Sequence, residues 1–283
     1  MTQPTQLPVL AICYDFDKTL SPDNMQAQGY IQDIGCEIDD FWAESDQLAK
    51  ENGMDSNLAY MYLMAEKARG SLVLTRELLE DYGSRVALYP GVESWFERMR
   101  AFGLAHGVKV EHYILSSGLK EMIEGTSLAK QGAFDAIFAS SFYFGPNGVA
   151  RWPAQAVNYT NKTQFLFRIK KGVLDINDPR VNDYFPDDQI RVPFRNMVYL
   201  GDSATDIPCM KVVNSYGGHS IGVYDPSAGM EQVKKLLSED RVRYIAPADY
   251  REGGLLDQLL KEIILKTYAD EILERRHWAS VRG

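Results

Sequence analysis

Val9-Leu10-Ala11-Ile12-Cys13-Tyr14-Asp15-Phe16-Asp17-Lys18-Thr19-Leu20 sets an apolar run of strand length directly against two acids separated by one residue. Three further runs behave the same way. Val110 to Leu115, interrupted by Glu111 and His112, ends at Ser116-Ser117-Gly118; Ala136 to Ala139 ends at Ser140-Ser141; Met197 to Leu200 ends at Gly201-Asp202. Each strand thus delivers polar residues at its carboxyl end. Between the runs lie helical patterns, among them Val92 to Ala101 and Leu255 to Leu273, the latter with Leu256, Leu259, Leu260, Ile263 and Ile264 at helical spacing. Strands alternating with helices predict an α/β fold, a Rossmann-like, mainly parallel sheet covered by helices, with the site at the strands' carboxyl ends.

From Asp23 to Leu88 the pattern changes. No strand is readable there, whereas Ile38, Phe41, Trp42 and Leu48, then Leu58, Met61, Tyr62 and Met64, then Leu78, Leu79 and Tyr82 predict three or more amphipathic helices. Glu51-Asn52-Gly53, Gly70 and Tyr89-Pro90-Gly91 punctuate and close the segment. The expected division is an α/β core over 1–22 and 89–283 with a helical cap over 23–88. Met25, Met54, Met61 and Met64 are expected to fill cap and interface volume.

Composition narrows the function classes. Of the 283 residues 45% are hydrophobic, enough for a core without disulfides or a structural metal. The three cysteines, Cys13, Cys36 and Cys209, lie far apart and read as apolar filler in a reducing compartment. The four histidines show no zinc-ligand spacing. No stretch approaches the roughly 20 apolar residues of a membrane helix, and Met1 to Pro8 is polar without a basic head. A cytoplasmic protein with no membrane partner is expected. With 30 Lys and Arg against 39 Asp and Glu, the net charge of −9 argues against nucleic acid as a partner but allows a local basic pocket for an anion. The oligomeric state, a homo-oligomer included, is left open.

The chemistry starts from Asp15 and Asp17. On a loop leaving a buried strand both carboxylates can turn into one pocket, where Asp15 is suited to attack phosphorus and Asp17 to protonate a departing alcohol and then take a proton from water. Gly201-Asp202-Ser203-Ala204-Thr205-Asp206 adds two acids four residues apart, an oxygen-rich set that suits magnesium. Crowded carboxylates repel a phosphate, so a cation and a lysine are needed. Lys162 stands at the start of the amphipathic Gln164 to Ile169 segment, where the helix dipole disfavours a lysine. Ser116 can donate to a phosphoryl oxygen, helped by the amides of Ser117 and Gly118.

In order and spacing, Asp-Phe-Asp-Lys-Thr-Leu at 15–20, Ile114-Leu115-Ser116-Ser117-Gly118, Lys162 and Gly201-Asp202-Ser203-Ala204-Thr205-Asp206 resemble the haloacid dehalogenase-like superfamily, phosphatase branch. The resemblance implies that Asp15 forms an aspartyl-phosphate, Asp17 is acid and base, Thr19 supports their loop, and Ser116, Ser117, Gly118 and Lys162 hold the phosphoryl group. It implies Mg2+ held by Asp15, the Asp17 backbone carbonyl, Asp202 and, directly or through water, Asp206. Dehalogenases of the superfamily usually lack the second aspartate, so Asp17 favours an oxygen leaving group. The cap position resembles the helical first type, and the stretch from Phe134 through Gly145 to Val149 is distantly similar to phosphoserine-phosphatase-like members. Thr205, where those enzymes commonly carry Asn, and Pro22-Asp23-Asn24, where a glutamate is expected, argue against phosphoserine itself.

The expectation is therefore a magnesium-dependent phosphomonoester hydrolase acting on a small phosphorylated metabolite. Two alternatives stand beside it. A phosphotransferase or phosphomutase would use the same Asp15 intermediate with a second hydroxyl as acceptor. A noncatalytic phosphate-binding module has no need of a nucleophile beside an acid.

Overall fold

The computed structural model describes residues 7–282; the polar opening stretch read above lies mostly outside them, in Met1 to Gln6. Val9–Tyr14 forms β1, every residue of it buried, as an unbroken apolar run requires. The remaining strands are β2 (Lys109–Leu119), β3 (Ala136–Phe144), β4 (Ala150–Gln155), β5 (Met197–Gly201), β6 (His219–Tyr224) and β7 (Tyr244–Pro247). They make one sheet in the order β4-β3-β2-β1-β5-β6-β7. Neighbours are parallel throughout except for the antiparallel β3–β4 hairpin. Cys13 stands level with Tyr113 on one side and Tyr199 on the other. This register brings the carboxyl ends of β1, β2 and β5 together at the point where the strand order reverses, the usual site position in such sheets.

Alternation along β1 feeds two cores. Leu10, Ile12 and Tyr14 join one cluster, while Val9, Ala11 and Cys13 join the other with Phe165 and Tyr199. The helices between β1 and β2 are α1 (Tyr30–Asp33), α2 (Ile38–Asn52), α3 (Ser56–Lys67), α4 (Arg76–Ser84) and α5 (Val92–Ala105). Asp55 caps α3 by accepting from the amides of Asn57 and Leu58, and Thr75 caps α4 by accepting from Leu78. Phe41, Met61, Met64, Leu79 and Tyr82 from this inserted region share the cluster of Leu10, Ile12 and Tyr14. Helices α6 (Lys120–Gly125) and α7 (Ser127–Lys130) follow β2, and α4 lies so close to α6 that a Cβ on Gly83 would run into the Met122 carbonyl oxygen. Met25, Met61 and Met64 are fully buried, as expected of filler, whereas Met54 is only half-buried.

Later in the chain come α8 (Thr163–Lys171), α9 (Ile207–Ser215), α10 (Glu231–Ser238) and α11 (Leu255–Arg282). Several elements differ in extent from the sequence expectation, among them β3, which runs past Ser140-Ser141 to Phe144, and α5, which continues to Ala105. The second strand runs on through Ser116-Ser117-Gly118 to Leu119, with a register shift against β3, so its polar residues end the strand rather than follow it. The last helix continues beyond Leu273 to Arg282. The Asp-rich connection from Asp175 to Asp188 is tied down through its backbone, with Arg168 donating to the carbonyls of Asp175 and Ile176 and Lys171 to those of Val181 and Asp183. Cys13 and Cys209 are buried and all three cysteines are free. Among the described residues no helix is long and apolar enough to cross a membrane.

Candidate active site

Asp15 leaves β1 with its N–H bonded to the Leu200 carbonyl at 2.9 Å, so strand pairing itself sets it beside β5. The chain then turns sharply. The Phe16 carbonyl accepts from the amides of Thr19, Leu20 and Ser21 at 3.3, 2.9 and 3.1 Å, with Lys18 in the left-handed region at φ 58°. A lysine in that conformation carries strain that the surrounding bonds must hold. The turn directs Asp17 toward the short 3-10 turn Met25–Ala27 that precedes α1, where its Oδ1 accepts from the Met25 amide at 2.9 Å. Thr19 supports the loop from both ends: its hydroxyl donates to Asp202 Oδ1 at 3.5 Å and its carbonyl accepts from Tyr250 at 2.7 Å.

Lys162 ends the short 3-10 turn Tyr159–Lys162 that leads into α8, and its side chain is fully buried. Its Nζ donates to Asp206 Oδ1 at 2.7 Å and lies 3.3 Å from Asp15 Oδ1. The second distance is an ion pair without hydrogen-bond geometry, and Asp15 Oδ1 is buried with no hydrogen-bond partner. Asp206 is in the opposite condition. Its Oδ1 also accepts from the Tyr199 hydroxyl at 2.8 Å, and its Oδ2 accepts from the amide and hydroxyl of Ser203, each at 3.2 Å. This packing needs a glycine at 201, because a Cβ there would meet Asp206 Cγ at 2.5 Å.

Ser116 is buried at the end of β2, and its Oγ accepts from the Gly118 amide at 3.0 Å. The Ser117 carbonyl accepts from Tyr60 at 2.8 Å and from Ser140 at 3.1 Å, while its own Oγ is buried without a partner. Asp15, Asp202, Asp206 and Lys162 are thus brought together, with Asp17 and Thr19 on the same loop and Ser116, Ser117 and Gly118 on the adjacent strand end. Sequence reading missed Tyr199 and Tyr60. Tyr199 had a signal, a polar-tipped aromatic inside the apolar run Met197–Gly201; Tyr60 had none, since an aromatic on an amphipathic helix reads as core.

The electrostatics are those of crowded acids. Burial pushes the Asp15 carboxyl up to about 6, Lys162 opposing and Asp206 adding to the rise. Burial followed by the charge of Asp15 holds Asp17 well above the usual carboxylate range, although the residue keeps some solvent contact and the Met25 amide pulls the other way. Burial, then Asp206 and Asp15, do the same to Asp202. Burial disfavours the charge of Lys162, but Asp15 and Asp206 outweigh it and raise the group above an ordinary lysine. Carboxylate oxygens of Asp15, Asp202 and Asp206 lie within 4.8 Å of one another. An all-oxygen donor set, the mutual repulsion just described and an Asp15 Oδ1 without a hydrogen bond fit a hard divalent cation. With four donors already on Asp206, Asp15 and Asp202 are the acids better placed to contact it directly. A cavity of 440 Å3 reaches Asp202 between Lys18, Tyr89 and Asp225; three larger ones, of 520, 690 and 810 Å3, include none of the three clustered acids, and the carboxylate chemistry outweighs their size in locating the site.

The family model of the haloacid dehalogenase-like hydrolases matches residues 12–211, a span holding every residue of this cluster. The chain belongs to that family. An uncharacterised protein of Borreliella burgdorferi is 26% identical over 280 residues, covering 90% of this chain and 96% of its own. Among solved structures, a haloacid dehalogenase family hydrolase from Salmonella enterica superposes with TM-score 0.59 at 18% identity, over 92% of this chain and 73% of that one. A probable phosphoserine phosphatase from Vibrio cholerae gives TM-score 0.58 at 15% identity, over 93% and 67%. At such identities these two structures speak for the fold alone. Family and carboxylate cluster together make this haloacid dehalogenase-like protein an enzyme, a hydrolase of the phosphatase type.

Proposed function

We propose that the protein is a magnesium-dependent phosphomonoester hydrolase that works on a small phosphorylated metabolite through an aspartyl-phosphate at Asp15. The observation that carries this is Asp15 Oδ1, which takes no hydrogen bond although it is buried, 3.3 Å from the buried Lys162 ammonium and two residues from Asp17. Binding alone gives no reason to keep a buried acceptor open beside an acid. In the first step a carboxylate oxygen of Asp15 bonds to phosphorus, the bond from phosphorus to the leaving alcohol breaks, and Asp17 gives that oxygen a proton. Its raised carboxyl suits a donor that must hold a proton near neutral pH. In the second step Asp17 takes a proton from water as the water oxygen bonds to phosphorus, and the bond to Asp15 breaks to release phosphate.

Lys162 neutralises the phosphoryl charge, while Asp206, held by Tyr199 and Ser203, fixes the direction of its ammonium. Ser116 and the amides of Ser117 and Gly118 receive phosphoryl oxygens once the Gly118 amide turns from Ser116 to the substrate. Mg2+, held by Asp15, Asp202 and the Asp17 carbonyl with Asp206 behind them, would stabilise the ionised Asp15 and neutralise the phosphoryl oxygens. Residues 23–88 serve as the cap over a core of 1–22 and 89–283, and a cytoplasmic location suits a small-metabolite substrate. The test is phosphate release from a panel of phosphorylated metabolites with Mg2+ and with chelator. Release should require the metal, and Asp17→Asn should cost much more on alkyl than on aryl phosphates, whose leaving groups need little protonation. Metal-independent release, or equal loss on both substrate types, would sink the corresponding assignment.

A further inference from the structure

The 810 Å3 cavity lies away from the catalytic acids, between α3 and the β3–β4 hairpin. Leu58, Tyr62 and Ala65, on one stripe of α3, face Phe142 and Trp152 across it. Helix α3 is therefore apolar on two sides, since Tyr60, Leu63 and Met64 are buried in the core. Trp152 is 72% exposed and Val73, also on the lining, 64%. A contiguous apolar surface of this kind marks a binding site more often than a solvated face, and the volume lies in the range of about 300–1,000 Å3 typical of ligand pockets. Three charges rim it. Arg69 pairs with Glu66 at 2.8 Å, which leaves Arg151 as a positive charge with no acid partner among the described residues.

We infer that this groove binds an amphiphile, a straight acyl chain carrying one anionic head, with the chain along α3 and the head at Arg151. The half-buried Met54 in the wall suits a flexible chain, because the thioether adapts its shape. The net positive rim on a protein of charge −9 selects an anion over a neutral or cationic head. The inference does not depend on the phosphatase chemistry.

Binding is measured on the full chain, with chelator present to hold hydrolysis off. Dodecanoate, dodecyl phosphate, dodecanol and dodecyltrimethylammonium are compared below their micellar concentrations, by calorimetry and tryptophan fluorescence. Both anions should saturate one site, dodecanol should bind about tenfold more weakly and the cation not measurably; the ratio of the two anions tells a carboxylate from a phosphate head. Arg151→Glu should remove the preference for anions, Trp152→Phe should lose the fluorescence change but keep the heat, and Ala65→Trp should block binding with an unchanged circular dichroism spectrum. Equal affinity for dodecanol and dodecanoate, or full binding by Ala65→Trp, overturns the inference. So does a dimer in the ligand-free protein that Ala65→Trp dissociates, which would assign the groove to a second copy.

Discussion

The carboxylate cluster at the β1–β5 junction and the helices inserted between β1 and β2 are both buried, yet different forces hold them. In the cluster Asp206 is fully hydrogen-bonded while Asp15 Oδ1 takes no hydrogen bond, and the charges are tolerable only because Lys162 stands between Asp15 and Asp206. The insertion is held by apolar contact, Phe41, Met61 and Leu79 sharing one core with Ile12 and Tyr14. Polar ties also cross from it, and three of them bear on the site: Tyr60 to the Ser117 carbonyl, Asn57 to the Val157 carbonyl at 2.6 Å, and Asn158 to Asp55 and Ser56 at 3.2 Å each. Those ties land on the two segments that carry Ser116 and Lys162. A single lost atom in the cluster should therefore strike chemistry, whereas damage to the insertion should spread as lost stability and reach the site through its backbone.

The largest expected effect comes from Asp15→Asn, which should lower phosphate release by about 10^4-fold or more, the scale on which a covalent nucleophile matters. The same change should stabilise the metal-free protein. A carboxyl raised to about 6 when folded favours the folded state below its unfolded value near 3.8, and that advantage is lost as pH rises through 6. The gap in stability between Asp15→Asn and the parent should therefore widen from pH 4 to pH 7, by roughly 1.4 kcal/mol for each pH unit that separates the folded from the unfolded value, and close when Mg2+ is added. A gap independent of pH would mean that burial does not raise the Asp15 carboxyl. Next, Lys162→Met should cost about 3–5 kcal/mol, because it leaves buried acids without a counter-charge, and should lose activity with it. Chemical denaturation separates the two, since a variant that keeps its stability but not its activity would show that Lys162 serves substrate alone.

Much of the cluster was legible because local spacing and chemistry coincide there. An apolar run ending at Asp15 specifies both the strand and the residue at its tip, and Gly201 beside Asp202 specifies the turn that lets Asp206 approach. Distances across the chain were not legible. Nothing local says that the Tyr199 hydroxyl meets Asp206 or that Tyr60 reaches Ser117, because such contacts depend on how helices stack on the sheet. The extents of β2 and α11 were misread for a related reason: a strand's end is set by its neighbour, here β3, and a helix continues as long as nothing breaks it. Gly83 belongs to the same class, an ordinary glycine in sequence and the point of closest approach between α4 and α6 in the structure. Gly83→Ala should cost about 1–3 kcal/mol by overpacking, read as a lower melting temperature with kcat for a small aryl phosphate preserved. A fall in kcat at unchanged stability would break the division drawn between the two regions.

The smallest effect tests the tie itself. Tyr60→Phe removes one donor from the Ser117 carbonyl but leaves that oxygen bonded to Ser140 at 3.1 Å, so no buried acceptor is orphaned and the cost should stay near 1 kcal/mol. Asn57→Ala removes the second tie, at Val157, on the other motif-bearing segment. If the insertion docks as one unit, losing either tie loosens the other, and the double variant should cost less than the two singles together by more than about 0.5 kcal/mol. Additive losses would mean that each bond holds only its own loop. In the coupled case KM should rise in both single variants before kcat falls, since the strand end carrying Ser116 and the segment carrying Lys162 would shift together relative to Asp15.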